Sequence, residues 1–539
     1  MKTTLPIVLL LSFAFGNFVS FSQDIAADVP FVAVPDLLDG TNPPHFLIAR
    51  SAPAPGETFT DNHFGQKLAC VTERNNIRSR HEYARFDPFS SDGSKIILDP
   101  DTRWRIYGTN SYPYNSSGNL IATIDLEEPR WDPQDPGVIW GLYDFSIRTV
   151  NVSTQETTVI KDFSQDPVLG PIIAQENVFR ITTRDEGESS KDKRYWALFL
   201  QGDDVVDYVE RYIFTWDREL DTIIGLYEVQ PNEVDVDWVG MSPLGNWVII
   251  GGDPGNGGNL DGMVVANREL TQFRGLGNIG HSDVALTLDD KEVVVGQNTA
   301  TDNIDLIPLD PAYARMELVR LYYDSASQFG LQSGAHVSCN TDGFCVISTY
   351  IEPGLPEKNW LDRSIILVKL DRQNPAGYYL AKVYGTTDAY YEETHATISN
   401  DGKSVVWASN WSMNVGQEDL FMMRLEMPSN WKQSLVGADE PKSEVPGSFR
   451  LMQNAPNPFN PTTTIRYSVS RNGPATIRVF DLLGNEVSEV VSGDHLAGDY
   501  QVEFGASSRV GSGSLSSGVY LYQLRTNEFL ETKKMVLLK

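Results

Sequence analysis

Between residues 78 and 427 the chain alternates short apolar runs with tight polar turns, and helical periodicity is scarce. Each unit reads as a strand, a turn, and a second strand rich in β-branched residues. The clearest copy is His395-Ala-Thr-Ile-Ser-Asn-Asp-Gly-Lys-Ser-Val-Val-Trp-Ala-Ser. Similar copies begin at His336, Asp283, Trp238 and Phe86, and two weaker ones span Pro129–Phe163 and Arg184–Val229. A further strand pair follows each copy, such as Arg363–Asp371 or Leu420–Leu425. A period of about fifty residues with four strands per unit predicts a β-propeller. One blade cannot bury both its faces, so blades must pack around a common axis. Seven units predict seven blades; an array of β-sandwiches is the competing arrangement.

Composition adds limits. A chain of 539 residues is too long for one ordinary core, so at least two domains are expected. The net charge of −29 argues against a nucleic-acid partner. It also argues mildly against a polyanionic substrate unless a local basic patch overrides the overall field. Cys339 and Cys345 flank a three-residue Thr341-Asp342-Gly343 loop, which would place them opposite each other in a hairpin. In an exported chain that geometry predicts a disulfide, with Cys70 left over and buried. The Ser-x-Asp-Gly turns resemble those of TolB-like propellers, where they join the first two strands of a blade.

Both termini point to export. Lys2, the apolar run Leu5–Phe15, and the small residues Ser20 and Ser22 read as a signal peptide over residues 1–22. No other run is long and apolar enough to span a bilayer, so the mature chain is expected to carry no transmembrane segment. At the other end, Asn457-Pro-Phe-Asn-Pro461, Val479-Phe-Asp-Leu-Leu-Gly484 and Gly518-Val-Tyr-Leu-Tyr522 occur in order before a closing Lys-Lys-Met-Val-Leu-Leu-Lys. Together they resemble the type A C-terminal sorting domain of type IX secretion cargo. That resemblance implies a small β-sandwich recognised by the secretion machinery, and then release or surface attachment. The predicted order is signal peptide 1–22, lead-in 23–77, all-β propeller 78–427, linker 428–446 and sorting domain 447–539. The lead-in is expected to help close the ring.

Aligned on their turns, Trp238, Asp283, His336 and His395 share one position at the same end of the channel. His281 precedes Asp283 by two and, on a regular strand, points to the same side. The expected metal set is therefore His281, Asp283, His336 and His395, suited to Zn²⁺ or Mn²⁺. The competing reading has the same side chains hydrogen-bonded across the channel, holding blades in register.

A second set lies in Arg74–Arg85, which holds four arginines and a histidine within twelve residues. If extended, it puts His81, Tyr83 and Arg85 on one face. Histidine serves as base, tyrosine as acid or base, and arginine as carboxylate clamp. That set suits β-elimination on a uronic acid; a surface strand paired with acidic neighbours is the alternative. Gly334-Ala-His336-Val-Ser and Thr394-His395-Ala-Thr-Ile-Ser, with Trp407-Ala-Ser-Asn-Trp411, resemble segments of oligogalacturonate- and ulvan-lyase-like propellers. The resemblance covers about Asp283–Trp411 and implies His336 and His395 as ligands of a channel metal. Two functions follow as expectations: a propeller binding an extracellular glycan or protein, or a metal-dependent polysaccharide lyase. Convergence of the two residue sets at one channel mouth would favour the lyase.

Overall fold

The computed structural model describes residues 31–538 apart from internal stretches, the longest being 203–208, 322–333, 412–419, 437–448 and 506–514. The predicted signal peptide lies outside the described residues. Two compact units are present, Met1–Ser429 and Asn430–Lys539.

Seven antiparallel sheets make up the first unit among the described residues. Blade 2 (Glu127–Asp162), blade 3 (Val178–Glu228), blade 4 (Val236–Gly277) and blade 5 (Ile279–Val319) are four-stranded meanders in chain order. Blade 1 has three strands (Lys95–Leu98, Trp104–Gly108, Leu120–Ile124), and its innermost strand is reduced to the bridge between Phe89 and Ile96. Inner strands of neighbouring blades pack on each other: Ile279–Leu286 on Ala335–Ser338, and that on Thr397–Ile398. The first unit is a seven-bladed β-propeller.

In blades 1, 3, 5 and 7 the turn between the first two strands is built by the same local chemistry. Ser90, Ser190, Thr287 and Ser399 donate their hydroxyls to Asp92, Asp192, Asp289 and Asp401 at 2.6–2.8 Å. The fourth turn residue takes a left-handed backbone: Gly93, Gly245, Gly343 and Gly402, with φ 71–81°, but also Lys193 and Asp290. Glycine is favoured there because it has no Cβ to clash.

The ring is closed by the lead-in. Lys67–Cys70 pairs with Phe421–Glu426, Met423 standing opposite Cys70, and Thr58–Thr60 adds outside it. Blade 7 is thus Thr397–Ile398, Ser404–Ser409 and Phe421–Glu426 from one end of the propeller chain plus two strands from the other. Val32–Val34 extends blade 6 (Ala335–Ser338, Phe344–Thr349, Ser364–Lys369, Ala376–Lys382) as a fifth strand. Cys339 and Cys345 are disulfide-bonded across the blade 6 hairpin, and Cys70 is a buried free thiol pushed by burial up to about 12. The core is blade-to-blade packing of alternating apolar positions, as with Val293, Val295, Ile304, Leu306, Val337, Ile347 and Ile366.

In the second unit, sheets of three and four antiparallel strands enclose Ile465, Ile477, Val479, Tyr522 and Leu524. This is a small β-sandwich. Within the stretch expected as linker, Trp431–Val436 forms a short helix because Trp431 finds a buried position. Among the described residues no helix is long and apolar enough to cross a membrane.

Candidate metal and acid–base site in the channel

The first hairpin of blade 6 is locked to the inner strand of blade 7, and to the residues leading into it, by short polar contacts. Ser348 Oγ donates to the Thr394 carbonyl at 2.7 Å and accepts from the Ala396 amide at 3.1 Å. The Asn340 side chain donates to the Ile398 carbonyl at 2.9 Å. These bonds hold His336 and His395 with ring centroids 4.0 Å apart. Nε2 of His336 lies 2.7 Å from Glu393 Oε2, and Nε2 of His395 lies 3.5 Å from the same oxygen.

Among the described residues one group of His, Cys, Asp or Glu is arranged to hold a metal ion: His336, Glu393 and His395, with ligand atoms within 4.8 Å of one another. Burial pushes both imidazoles well below their usual value, and neighbouring histidines add to the effect. Both rings are therefore neutral at pH 7, the form that ligates metal. Two neutral imidazoles and a carboxylate fit Zn²⁺ or Mn²⁺.

Tyr83 ties this group to blade 5. Its hydroxyl lies 3.2 Å from Nδ1 of His336 and 3.3 Å from Nδ1 of His281. Its ring meets His336 and His395 edge-on at 5.3 and 5.2 Å. Because Nε2 of His336 faces Glu393, Nδ1 is the nitrogen left for the tyrosine. His281 is also lowered by burial and is neutral.

Two expectations need correction. The segment carrying Tyr83 is not extended: Phe86 donates its amide to the Tyr83 carbonyl at 3.2 Å, closing a turn. Tyr83 reaches the channel through that turn rather than by strand alternation. Asp283 is not brought into the metal-holding group. Its Oδ1 accepts from the Val284 amide at 2.7 Å and its Oδ2 from the Cys339 amide at 2.6 Å. The reason is a bulge: the pairing steps from Gly280 opposite Gln297 to Asp283 opposite Val295, with His281 at φ 42°. The extra residue breaks the two-residue alternation, so His281 and Asp283 no longer share a side. Asp283 stitches blade 5 to blade 6 instead.

Arg85 is held on the blade 3 side of the channel. Its Nη1 donates to the Glu186 carbonyl at 2.6 Å and its Nη2 lies 3.1 Å from Glu186 Oε2. Its guanidinium stands 4.4 Å from the Trp238 ring centroid and 5.6 Å from that of Tyr83. His81 is buried, and burial first, then the charge of Arg80, pushes it down to about 3. So weak a base, out of reach of solvent, is poorly placed to remove a substrate proton.

The structure thus gathers Tyr83, His281, His336 and His395 at one place, with Arg85 against Tyr83 and His81 next to His395. Glu393 and Glu186 escaped the sequence reading, and both carried a signal. Glu393 precedes His395 by two, the offset at which His281 precedes Asp283. Glu186 precedes Lys193 by seven, as His336 precedes Gly343 and His395 precedes Gly402, although in blade 3 Thr182 and not Glu186 takes the paired place opposite Phe199.

Residues 455–538 match the family of the secretion system C-terminal sorting domain. The C-terminal unit is a type IX sorting domain. It implies export of the chain by that machinery, to release or to surface attachment. No curated protein matches this chain. Solved structures similar to it include an oligogalacturonate lyase in complex with manganese, at 11% identity and TM-score 0.46, covering 69% of this chain and 96% of that one. A mitotic checkpoint complex chain is similar at 10% identity and TM-score 0.36, covering 70% of this chain and 98% of that one. TolB from Acinetobacter baumannii is similar at 11% identity and TM-score 0.28, covering 55% of this chain and 63% of that one.

Proposed function

We propose that this sorted, exported propeller is a metal-dependent polysaccharide lyase that cleaves uronic-acid glycans by β-elimination outside the cell. One observation carries the reading: the Tyr83 hydroxyl stands between two neutral imidazoles, beside a metal-capable His336–Glu393–His395 group and with Arg85 against its ring. In the elimination a base takes the proton at C5 of the uronate. The electron pair left behind forms the C4–C5 double bond, and the C4–oxygen bond breaks with a proton delivered to the leaving oxygen. Tyr83 is the proton carrier in this scheme, since imidazole nitrogens on both sides can accept from it or donate to it. Arg85 binds the uronate carboxylate by a charge-assisted hydrogen bond. His336, Glu393 and His395 would hold the metal, which when bound supplies positive charge that acidifies the C5–H bond. His281 orients the tyrosine from the blade 5 side, and His81 packs behind the site as a neutral imidazole.

A second reading is glycan binding without turnover. The net charge of −29 favours it, as does the Glu186 carboxylate already seated on Arg85. One assay separates the two: absorbance of unsaturated uronate across a panel of polysaccharides, with and without chelator. Chelator-sensitive product supports the lyase; no product from any uronate glycan, with no metal by elemental analysis, removes it.

A further inference from the structure

We propose that Glu186 is a built-in competitor for Arg85, occupying the place of a ligand carboxylate, so that a hexuronate is admitted by displacing it. The inference rests on the reading of Arg85 as carboxylate clamp. It adds a residue that sets how tightly an acidic sugar is held.

The geometry divides the pair into a fixed and a movable half. Nη1 of Arg85 is tied to the Glu186 backbone carbonyl at 2.6 Å, while Nη2 meets the Glu186 side chain at 3.1 Å. Swinging the carboxylate away leaves the backbone contact and frees Nη2 for a ligand oxygen. The Trp238 ring, 4.4 Å from the guanidinium, keeps its plane in place. Arg85 has only 5% of its side chain exposed against 30% for Glu186, so the glutamate is the partner with room to leave. Two consecutive left-handed residues, Arg184 at φ 58° and Asp185 at φ 65°, present Glu186. Neither is glycine, and such backbone persists only where surrounding structure enforces it.

Glu186 is also set off the blade 3 sheet: counting back from the Ser190–Tyr195 turn would put it opposite Phe199, but Thr182 holds that place, so Glu186 stands in the loop beyond the strand. Its own carboxylate is not comfortable there. Burial raises its pKa, Asp237 and Asp185 raise it further, and only Arg85 opposes them. An incoming hexuronate would bring the same charge to the same guanidinium with its hydroxyls still free to bond elsewhere.

The test is calorimetric binding of a galacturonate trisaccharide, in chelator, to the full exported chain and to Glu186→Gln. The reduced trisaccharide, with its carboxyls converted to alcohols, is the control. Glu186→Gln is expected to bind the acidic sugar at least about tenfold more tightly, with no gain for the reduced sugar. Unchanged or weaker binding at a retained melting temperature overturns the proposal. An equal gain for the reduced sugar, or no acidic-sugar binding by either protein, also overturns it. Should the glutamine variant melt early, Glu186→Asp, whose shorter arm draws the carboxylate back, must show an intermediate gain. Turnover is not read, so absent elimination leaves a positive result standing; a working lyase indifferent to Glu186 loses only this inference.

Discussion

The hydroxyl of Tyr83 lies 3.2 Å from Nδ1 of His336, joining the segment that leads into blade 1 to the inner strand of blade 6. Tyr83→Phe removes that hydroxyl and keeps the ring between His336 and His395. Its stability should stay within about 1.5 kcal/mol of wild type, the usual range for one hydrogen bond. Uronate-eliminating activity should fall at least about 100-fold, the usual worth of a positioned acid or base. Melting temperature and product absorbance on the same preparation check both. Retained activity would remove Tyr83 from the chemistry.

Metal retention should follow the geometry rather than the histidine count. Glu393→Ala and His336→Ala are each expected to weaken Zn²⁺ or Mn²⁺ binding more than about 100-fold, beyond the loss typical of an outer-shell partner. His281→Ala should keep its metal, because His281 is not in the group whose ligand atoms converge. Elemental analysis after gel filtration reads the difference. Equal loss in all three variants would make His281 a ligand, as expected from sequence, beside Glu393.

Asp283 makes stability depend on pH with a definite sign. Burial pushes its carboxyl from 3.8 up to about 7, against the opposing charge of Arg85. Between those values the folded protein keeps a proton that the unfolded chain has released. Stability should therefore fall as pH rises from about 4 to about 7, by up to about 1.4 kcal/mol per pH unit from this group. Denaturant melts of wild type and Asp283→Ala measure it, and the variant should show the shallower decline. Identical slopes would mean that the buried carboxyl titrates normally.

Removing the tail should change location and not fold. A chain ending at residue 446 keeps every strand of the seven propeller sheets. It is expected to stay inside the outer membrane while the full chain reaches the medium or the cell surface. Fractionation with immunoblotting decides it, and truncated protein outside the cell would mean a second export signal.

The repeat was readable because its cause is local. A serine or threonine, an aspartate two residues on and a left-handed fourth residue hydrogen-bond among themselves, so each turn prints its own signature. The disulfide followed for the same reason, since the hairpin fixes which cysteines face each other. The bulge at His281 did not show, because alternation is assumed until a neighbouring strand breaks it. Glu186 was hidden by Lys193, which takes the left-handed place usually marked by glycine. The arginine-rich segment was read as a straight face, whereas a turn at Tyr83–Phe86 delivers its tyrosine to the channel. Where a turn's residues bond only among themselves, spacing sufficed; where a bulge or loop interrupts the strand, or a contact reaches another blade, it did not.

The pairing of Met423 with Cys70 also sets an order of events. A chain threaded from its N-terminus through a narrow passage delivers Lys67–Cys70 early and must then wait for Phe421–Glu426. Until that late strand arrives the circle has a gap, and the long loop to be closed makes this contact slow to form. The seventh wedge therefore cannot be complete before both segments are present, and a chain halted midway would expose a raw strand edge ready to pair with a stranger.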